Sequence, residues 1–219
     1  MQLIIANKNY SSWSLRGWLM LTQNGIHFEE QKLVLFKDSF YRTLENYTPA
    51  AKVPVLIDGE VTVWDSLAIC EYVNEAHCDG QAWPQHTVAR AKARAISCEM
   101  HSGFTALRNE MPMNCRAKRQ IELSEAAKKD IARIDQIWRE QMTEYGDQGG
   151  WLFGQWSIAD CMFAPVVLRF ITYGIEVSEL SQRYMTQVLQ SPAIRLWLED
   201  ALQETDIVPE DEAGIEIES

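Results

Sequence analysis

Hydrophobic and polar positions alternate at two periods along this chain, and the period changes part-way. Gln2–Ala6 is a short apolar run and predicts a strand. The polar loop 7–14, NKNYSSWS, follows. Leu15, Trp18, Leu19 and Thr22 then share one helical face, with Gly25 as the stop signal. A second strand is expected over 27–36. Its latter half, 33–36, is continuously apolar, the pattern of a strand buried in a parallel sheet. The stretch 37–49 reads as an irregular or helical link. Apolar 53–57, the dipeptide Asp58-Gly59 and alternating 60–64 predict a hairpin turning on Asp58-Gly59. Behind it Leu67, Ile69, Cys70 and Val73 recur at helical spacing, and Asp65 and Ser66 supply the short oxygen side chains that start helices. The order is β-α-β, link, β-β-α.

The turn-rich stretch 77–86, HCDGQAWPQH, reads as a linker, and from Thr87 the chain is all helix. One long helix is expected over 87–111, ended by Pro112. Met100, Phe104, Leu107 and Met111 form its apolar stripe, read first as bundle core and in part as the lining of a substrate pocket or a dimer seam. A second long helix, 124–145, presents Ile131, Ile134, Ile137 and Trp138, and 146–150 breaks it. Ser157 and Asp160 have the spacing of a capping box, with Trp156 before them as a staple. The helix they open runs to Thr172, is nearly all apolar and should be the buried centre, with Pro165 bending it. Helices over 178–189 and 192–202 complete the bundle, and 206–219 reads as an acidic, mobile tail. The expected organisation is an α/β domain over 1–78 and an all-α domain over 87–205.

Composition narrows the function classes. The 219 residues are 47% hydrophobic and include eight Trp, enough for a substantial core. A formal charge of −11 argues against nucleic-acid binding, which needs surplus Lys and Arg. The five cysteines are scattered without a CxxC pair, as in reduced, cytoplasmic proteins. The apolar run at the start is too short for a signal peptide, and no stretch approaches the about 20 residues of a membrane span. No second His stands at metal-ligand spacing from His101, so no metal is expected. Arg90, Lys92 and Arg94 read as a solvated face.

Three stretches offer chemistry. Pro54 heads a buried strand, where it removes a ladder donor; a cis bond before it would turn the backbone of Val53 outward, free to pair with an extended peptide. Asp65-Ser66 sets an acceptor for an amine and a hydroxyl donor at a helix N-terminus, which favours carboxylates. Ser11, Ser12 and Ser14 enter the first helix. One of them must cap it, and three exceed what one cap requires. A hydroxyl there can donate to a thiolate held at the positive end of the helix. That thiol must come from a ligand, since this loop has no Cys.

Val53-Pro54, the hairpin and Asp65-Ser66 together resemble the glutathione-binding half of the glutathione S-transferase family. Ser11-Ser12-Trp13-Ser14-Leu15-Arg16 resembles the SSxSxR signature of its zeta class, with Trp13 in place of the usual Cys. The resemblance implies a thioredoxin-like α/β N-terminal domain, an all-α C-terminal helical bundle and a homodimer. It implies that glutathione is the cosubstrate and that a small apolar electrophile binds between the domains. By position Ser11 and Ser12 take the thiolate-stabilising role, while Trp13 and Ser14 complete the loop. Val53 and Pro54 meet the cysteinyl backbone, Asp65 the γ-glutamyl amine and Ser66 its carboxylate. Lys37 and Lys52 are partners for the glycyl carboxylate. The class has Gln where Asp65 stands. Its best-known activity is isomerisation of maleylacetoacetate, with a substrate-holding Arg twelve residues beyond the capping-box Asp. That place is Thr172 here, and Arg169 lies one turn earlier. Met100, His101, Phe104 and Arg169 are the expected pocket residues. The alternative is a binding module that keeps the fold without turnover. Glutathione-dependent reduction is a weaker third reading.

Overall fold

A computed structural model describes residues 1–217. The first strand β1 (Gln2–Ala6) leads through a loop to helix α1 (Ser12–Gln23) and strand β2 (Glu29–Leu33). Helix α2 (Asp38–Leu44), strands β3 (Val55–Asp58) and β4 (Val61–Val63) and helix α3 (Ser66–His77) follow. The sheet order is β2-β1-β3-β4, with β2 parallel to β1 and the hairpin antiparallel. Side chains of β1 alternate between the two faces. Leu3 and Ile5 join the main core with α1 and α3, while Ile4 and Ala6 pack with Phe40 and Leu44 of α2 in a second cluster.

Two sequence expectations shift here. Asp58 pairs with Val61, so the turn is Gly59-Glu60 rather than Asp58-Gly59. Gly59 has φ +59°, and a Gly at the first central position satisfies this turn. The second strand is not buried at its apolar end: β2 stops at Leu33, lies at the sheet edge and is largely exposed.

The second half is helical apart from a two-strand ribbon. It comprises α4 (Thr87–Ser102), α5 (Thr105–Glu110), β5 (Arg119–Gln120), α6 (Glu125–Tyr145), α7 (Ile158–Thr172), α8 (Glu179–Gln190) and α9 (Pro192–Gln203), then β6 (Ile215–Glu216). The expected helix 87–111 is therefore two helices. Gly103 closes α4, and a Cβ there would stand 2.6 Å from the Glu99 carbonyl oxygen. Phe104 then turns left-handed at φ +53°. Ser157 and Asp160 form the capping box of α7, which carries Pro165 and is buried along nearly its whole length. Helix α1 packs on both α3 and α7, so one continuous core joins the sheet to the bundle.

The acidic tail is docked. The buried carboxylate of Glu204 accepts from the backbone N–H groups of Lys8 and Asn9 at 2.9 and 3.0 Å. Arg119 pairs with Glu212, Tyr10 donates its hydroxyl to Glu212 Oε1 at 2.5 Å, and β6 pairs antiparallel with β5. The expectation of a mobile tail from 206 fails because cations far away in sequence hold it; residues 218–219 lie outside the described residues. The five cysteines are free, and no helix among the described residues is long and apolar enough to cross a membrane. Arg94 lies 3.8 Å from Glu71 and Lys92 3.7 Å from Glu140, both on the exposed surface, while Arg90 donates to the Gln85 carbonyl.

Candidate active site

A cavity of about 890 Å³ opens where the start of α1, the segment before β3, the start of α3 and helices α5 and α7 meet. It exists because three chain reversals end at one place. Ser11, Ser12 and Trp13 line it from the α1 entrance, Lys52, Val53 and Pro54 from the strand margin, and Asp65 and Ser66 from the α3 entrance. The Val53–Pro54 and Trp64–Asp65 peptide bonds are cis. His101, Arg108 and Arg169 close the helical side, and Asp211 of the folded-back tail completes it.

The serines divide their work. Ser11 is the N-cap of α1: its hydroxyl accepts from Ser14 N at 3.3 Å and donates to Ser14 Oγ at 2.7 Å. Ser14 is fully buried, accepts from Ala6 N at 3.0 Å and ties α1 to β1 instead of facing the cavity. Ser12 Oγ accepts from Arg169 Nη2 at 3.0 Å.

At α3, Asp65 Oδ1 caps the helix by accepting from Leu67 N and Ala68 N at 2.8 and 3.4 Å. Asp65 Oδ2 stands 3.0 Å from His101 Nε2, a link between α3 and α4. Ser66 Oγ is buried and has no hydrogen-bond partner among the described residues. A hydroxyl left so costs stability unless something else meets it, and it lies on the cavity wall.

Cations gather behind this wall. Arg16 is buried in α1, with Nε and Nη1 unpartnered among the described residues. Burial first, then the charges of Arg169 and Arg108, lower its pKa to about 9, so it stays charged at neutral pH. Its guanidinium lies 4.4 Å from the Trp13 ring centroid and that of Arg108 lies 5.1 Å away. The Trp in place of the signature's Cys therefore gives these cations an aromatic surface. Arg169 is brought down to about 10 by burial. Burial raises Asp211 to about 6, against the opposing pull of Arg169.

Burial also lowers the pKa of His101, outweighing the attraction of Asp65. The neutral ring donates from Nε2 to Asp65, and Nδ1 has no partner among the described residues. An NMR titration of the His101 ring is expected to give a value below the ordinary 6.5. With the folded value depressed, protonating His101 disfavours the native state, so its contribution is present above 6.5 and lost as pH falls through the folded value. A titration at or above 6.5 would contradict this.

Other expected site residues lie elsewhere. Met100 and Phe104 pack in the core and do not line the cavity. Lys37 is exposed and pairs with Asp206 at 3.2 Å. Thr172 is spent on the carbonyls of Asn114 and Leu168 at 2.7 and 3.0 Å. Sequence spacing singles out neither Arg108 nor Asp211, although both line the cavity. Arg108 looks like any surface helix residue in the sequence, and Asp211 belongs to the stretch read as a mobile tail. No group of His, Cys, Asp and Glu among the described residues could hold a metal ion.

Residues 10–76 match the family model "Glutathione S-transferase, N-terminal domain". A probable maleylacetoacetate isomerase of Caenorhabditis elegans is 38% identical over 100 residues, which is 45% of this chain and 46% of the relative. The chain thus matches about half the length of that relative. A glutathione transferase homolog from Burkholderia strain BGR1, solved with bound glutathione, superposes with a TM-score of 0.71 at 22% identity, covering 91% of this chain and 97% of that one. The holo structure of a bacterial maleyl pyruvate isomerase in the zeta class superposes with a TM-score of 0.71 at 19% identity, covering 93% and 98%.

Proposed function

From the premise that this chain belongs to the glutathione S-transferase family and is most like its zeta class, we propose that it binds glutathione in this cavity and activates its thiol. The observation that supports this most is the buried Ser66 hydroxyl at the α3 entrance, which has no partner among the described residues and lies on the same cavity wall as Ser11 and Ser12. In this reading Ser66 and the N–H groups of α3 receive the γ-glutamyl carboxylate, and Asp65 receives the ammonium. Val53 pairs with the cysteinyl backbone beside Pro54. Lys52, which lines the cavity, takes the glycyl carboxylate in preference to Lys37, which Asp206 occupies. The sulfur then lies at the α1 entrance, where the helix dipole, a serine hydroxyl and nearby guanidiniums favour the thiolate.

The thiolate attacks an electrophilic carbon. A carbon–sulfur bond forms while the displaced electron pair leaves with a leaving group or moves along a conjugated system. Holding both reactants in one cleft supplies much of the rate. Maleylacetoacetate-type isomerisation is the activity suggested by the Caenorhabditis elegans relative and the zeta-class neighbour. The family's usual Arg is Thr172 here, so Arg169 or Arg108 would have to meet an acidic substrate. In this reading the protein works in the cytoplasm as a homodimer.

Retention on glutathione-agarose, followed by turnover of a panel of electrophiles that includes maleylacetoacetate or a surrogate, tests the proposal. Retention with turnover of at least one electrophile is expected. Retention with no turnover across the panel would favour a binding module that keeps the fold.

A further inference from the structure

We propose that Asp211, on the folded-back C-terminal segment, is a catalytic proton carrier: it takes the proton of the glutathione thiol and delivers it to the carbon skeleton of a conjugated carbonyl electrophile. This rests on the glutathione reading above and adds a residue and a reaction type to it. Asp211 ends the turn Pro209–Asp211, and the chain is fastened on both sides of it. Before it, Arg116 donates to the carbonyls of Glu204 and Asp206, and the Asp206 carboxylate pairs with Lys37 at 3.2 Å. After it, Glu212 pairs with Arg119 and accepts from Asn114 Nδ2 at 3.0 Å and from the Tyr10 hydroxyl at 2.5 Å. Strand β6 then pairs with β5. The carboxylates of Asp206 and Glu212 are thus engaged by cations. That of Asp211 is different. It lines the cavity with Ser12, Arg108 and Arg169, is partly buried, and makes no hydrogen bond or close ion pair among the described residues. Holding a carboxylate in such a place costs stability, and ionisable groups kept so are found where chemistry is done.

Arg169 and Tyr173 of α7 face Asp211 by charge, Arg108 of α5 and Lys52 before β3 line the same cavity, and Glu210 precedes it on its own segment. Burial holds the Asp211 carboxyl up at about 6 against the pull of Arg169, with Glu210 adding to the rise. It therefore changes state close to neutral pH, as a group that must both accept and give a proton should. Among charged neighbours, Asp211 is also the largest influence on Arg169, whose Nη2 donates to Ser12 Oγ at 3.0 Å. Asp211 thus stands one side chain away from the α1 entrance, where the sulfur is placed, and an electrophile fits between the two.

The reaction balances within the site. The Asp211 carboxylate accepts the thiol proton. The thiolate forms a carbon–sulfur bond at the β carbon, and the pair of the carbon–carbon double bond moves toward the carbonyl oxygen. The enolate so formed faces the guanidiniums of Arg108 and Arg169, which favour its negative charge. The enolate then takes the proton from Asp211 at its α carbon, and the O–H pair returns to the carboxylate. Glutathione and the unsaturated ketone become one saturated thioether, with nothing oxidised or reduced. An electrophile whose leaving group departs as an anion needs no such proton, so the two kinds of substrate separate the role.

The test uses the full chain, glutathione and two probes: benzalacetone, a conjugated ketone, and chlorodinitrobenzene, an aryl halide that loses chloride. In Asp211→Asn the ratio of kcat on the ketone to kcat on the halide is expected to fall by about 100-fold, the lower end of what general acid–base catalysis supplies. Glutathione affinity measured by calorimetry should change little. The pH profile carries a sharper sign. On the ketone the unaltered chain should lose rate on the alkaline side, where the carrier has no proton to give, and Asp211→Asn should abolish that fall. Asp211→Glu should recover part of the lost ratio. Glu210→Gln removes the adjacent carboxylate, which is exposed and outside the cavity, and should keep both the ratio and the profile. An unchanged ratio in Asp211→Asn, an alkaline fall that persists in it, or an equal loss in Glu210→Gln would overturn the assignment. Turnover of the halide with none of the ketone by the unaltered chain would overturn it while leaving the glutathione reading in place. A chain that binds no glutathione would remove both.

Discussion

Replacing Asp160 with alanine is expected to cost about 3–5 kcal/mol of stability, measured as a lower denaturant midpoint. The carboxylate is buried at the start of α7 and serves three donors. Oδ2 accepts from Ser157 N at 2.9 Å and Ser157 Oγ at 3.0 Å, while Oδ1 accepts from Leu152 N at 3.2 Å. Alanine leaves two buried backbone N–H groups without a partner, at about 1–3 kcal/mol each, and removes half of the capping box. Because α7 packs against α1 and α4, this loss reaches the whole core. The pH dependence follows from burial, which raises Asp160 from 3.8 to about 6 despite its donors. The native state thus holds this proton more tightly than the unfolded chain. Its contribution is greatest below 3.8 and falls as pH rises through about 6. Asp160→Asn, which keeps one acceptor oxygen, should lose less and flatten that slope. A midpoint unchanged in Asp160→Ala would show that the capping box is not what holds the entrance to α7.

Ser66→Ala separates folding from binding. Its hydroxyl is buried, with no partner among the described residues, so removing it relieves an unsatisfied group and leaves stability unchanged or slightly higher. If that hydroxyl meets the γ-glutamyl carboxylate, the same change loses one charge-assisted hydrogen bond, about 1.5–3 kcal/mol. Glutathione affinity should then fall roughly 10- to 150-fold. The two readouts, melting temperature and calorimetric Kd, are expected to move in opposite directions or to separate. A drop in stability with affinity intact would mean that the hydroxyl serves the fold alone.

How far the sequence carried this account depends on the range of the forces involved. Local signals were sufficient for β1, α6 and the capping box at Ser157 and Asp160, because period and caps act within a few residues. The hairpin was placed correctly, yet its turn moved by one residue, since pairing with β1 sets the register. The helix break at Gly103 had a visible cue, but the apolar stripe from Met100 to Met111 hid it by running through at nearly helical spacing. The apolar run 33–36 does not make β2 a buried strand, because apolar residues after a strand can pack in a connection as well as in a sheet. The tail was opaque for a different reason. Its anchors, Arg116, Arg119, Tyr10 and Lys8, lie about 90 to 200 residues away, and Arg116 donates to the carbonyls of Glu204 and Asp206. No local pattern announces such partners.

The candidate site was legible where it is made of helix entrances and a strand margin, the places at which Ser11, Ser12, Pro54, Asp65 and Ser66 stand. It was illegible where the helical half supplies the wall. Arg108 and Asp211 become cavity residues only through packing, and Met100 and Phe104 become core residues by the same route. The hydrogen bond that Ser12 accepts comes from a distant donor, Arg169, which no sequence spacing reveals.

The most direct measurement is the ultraviolet thiolate absorbance of glutathione bound to the unaltered chain, followed as a function of pH. The cavity described here should lower the apparent pKa of the bound thiol by at least about one unit from the ordinary value near 8.5. A bound thiol that titrates at its free value would contradict the claim that this site activates sulfur.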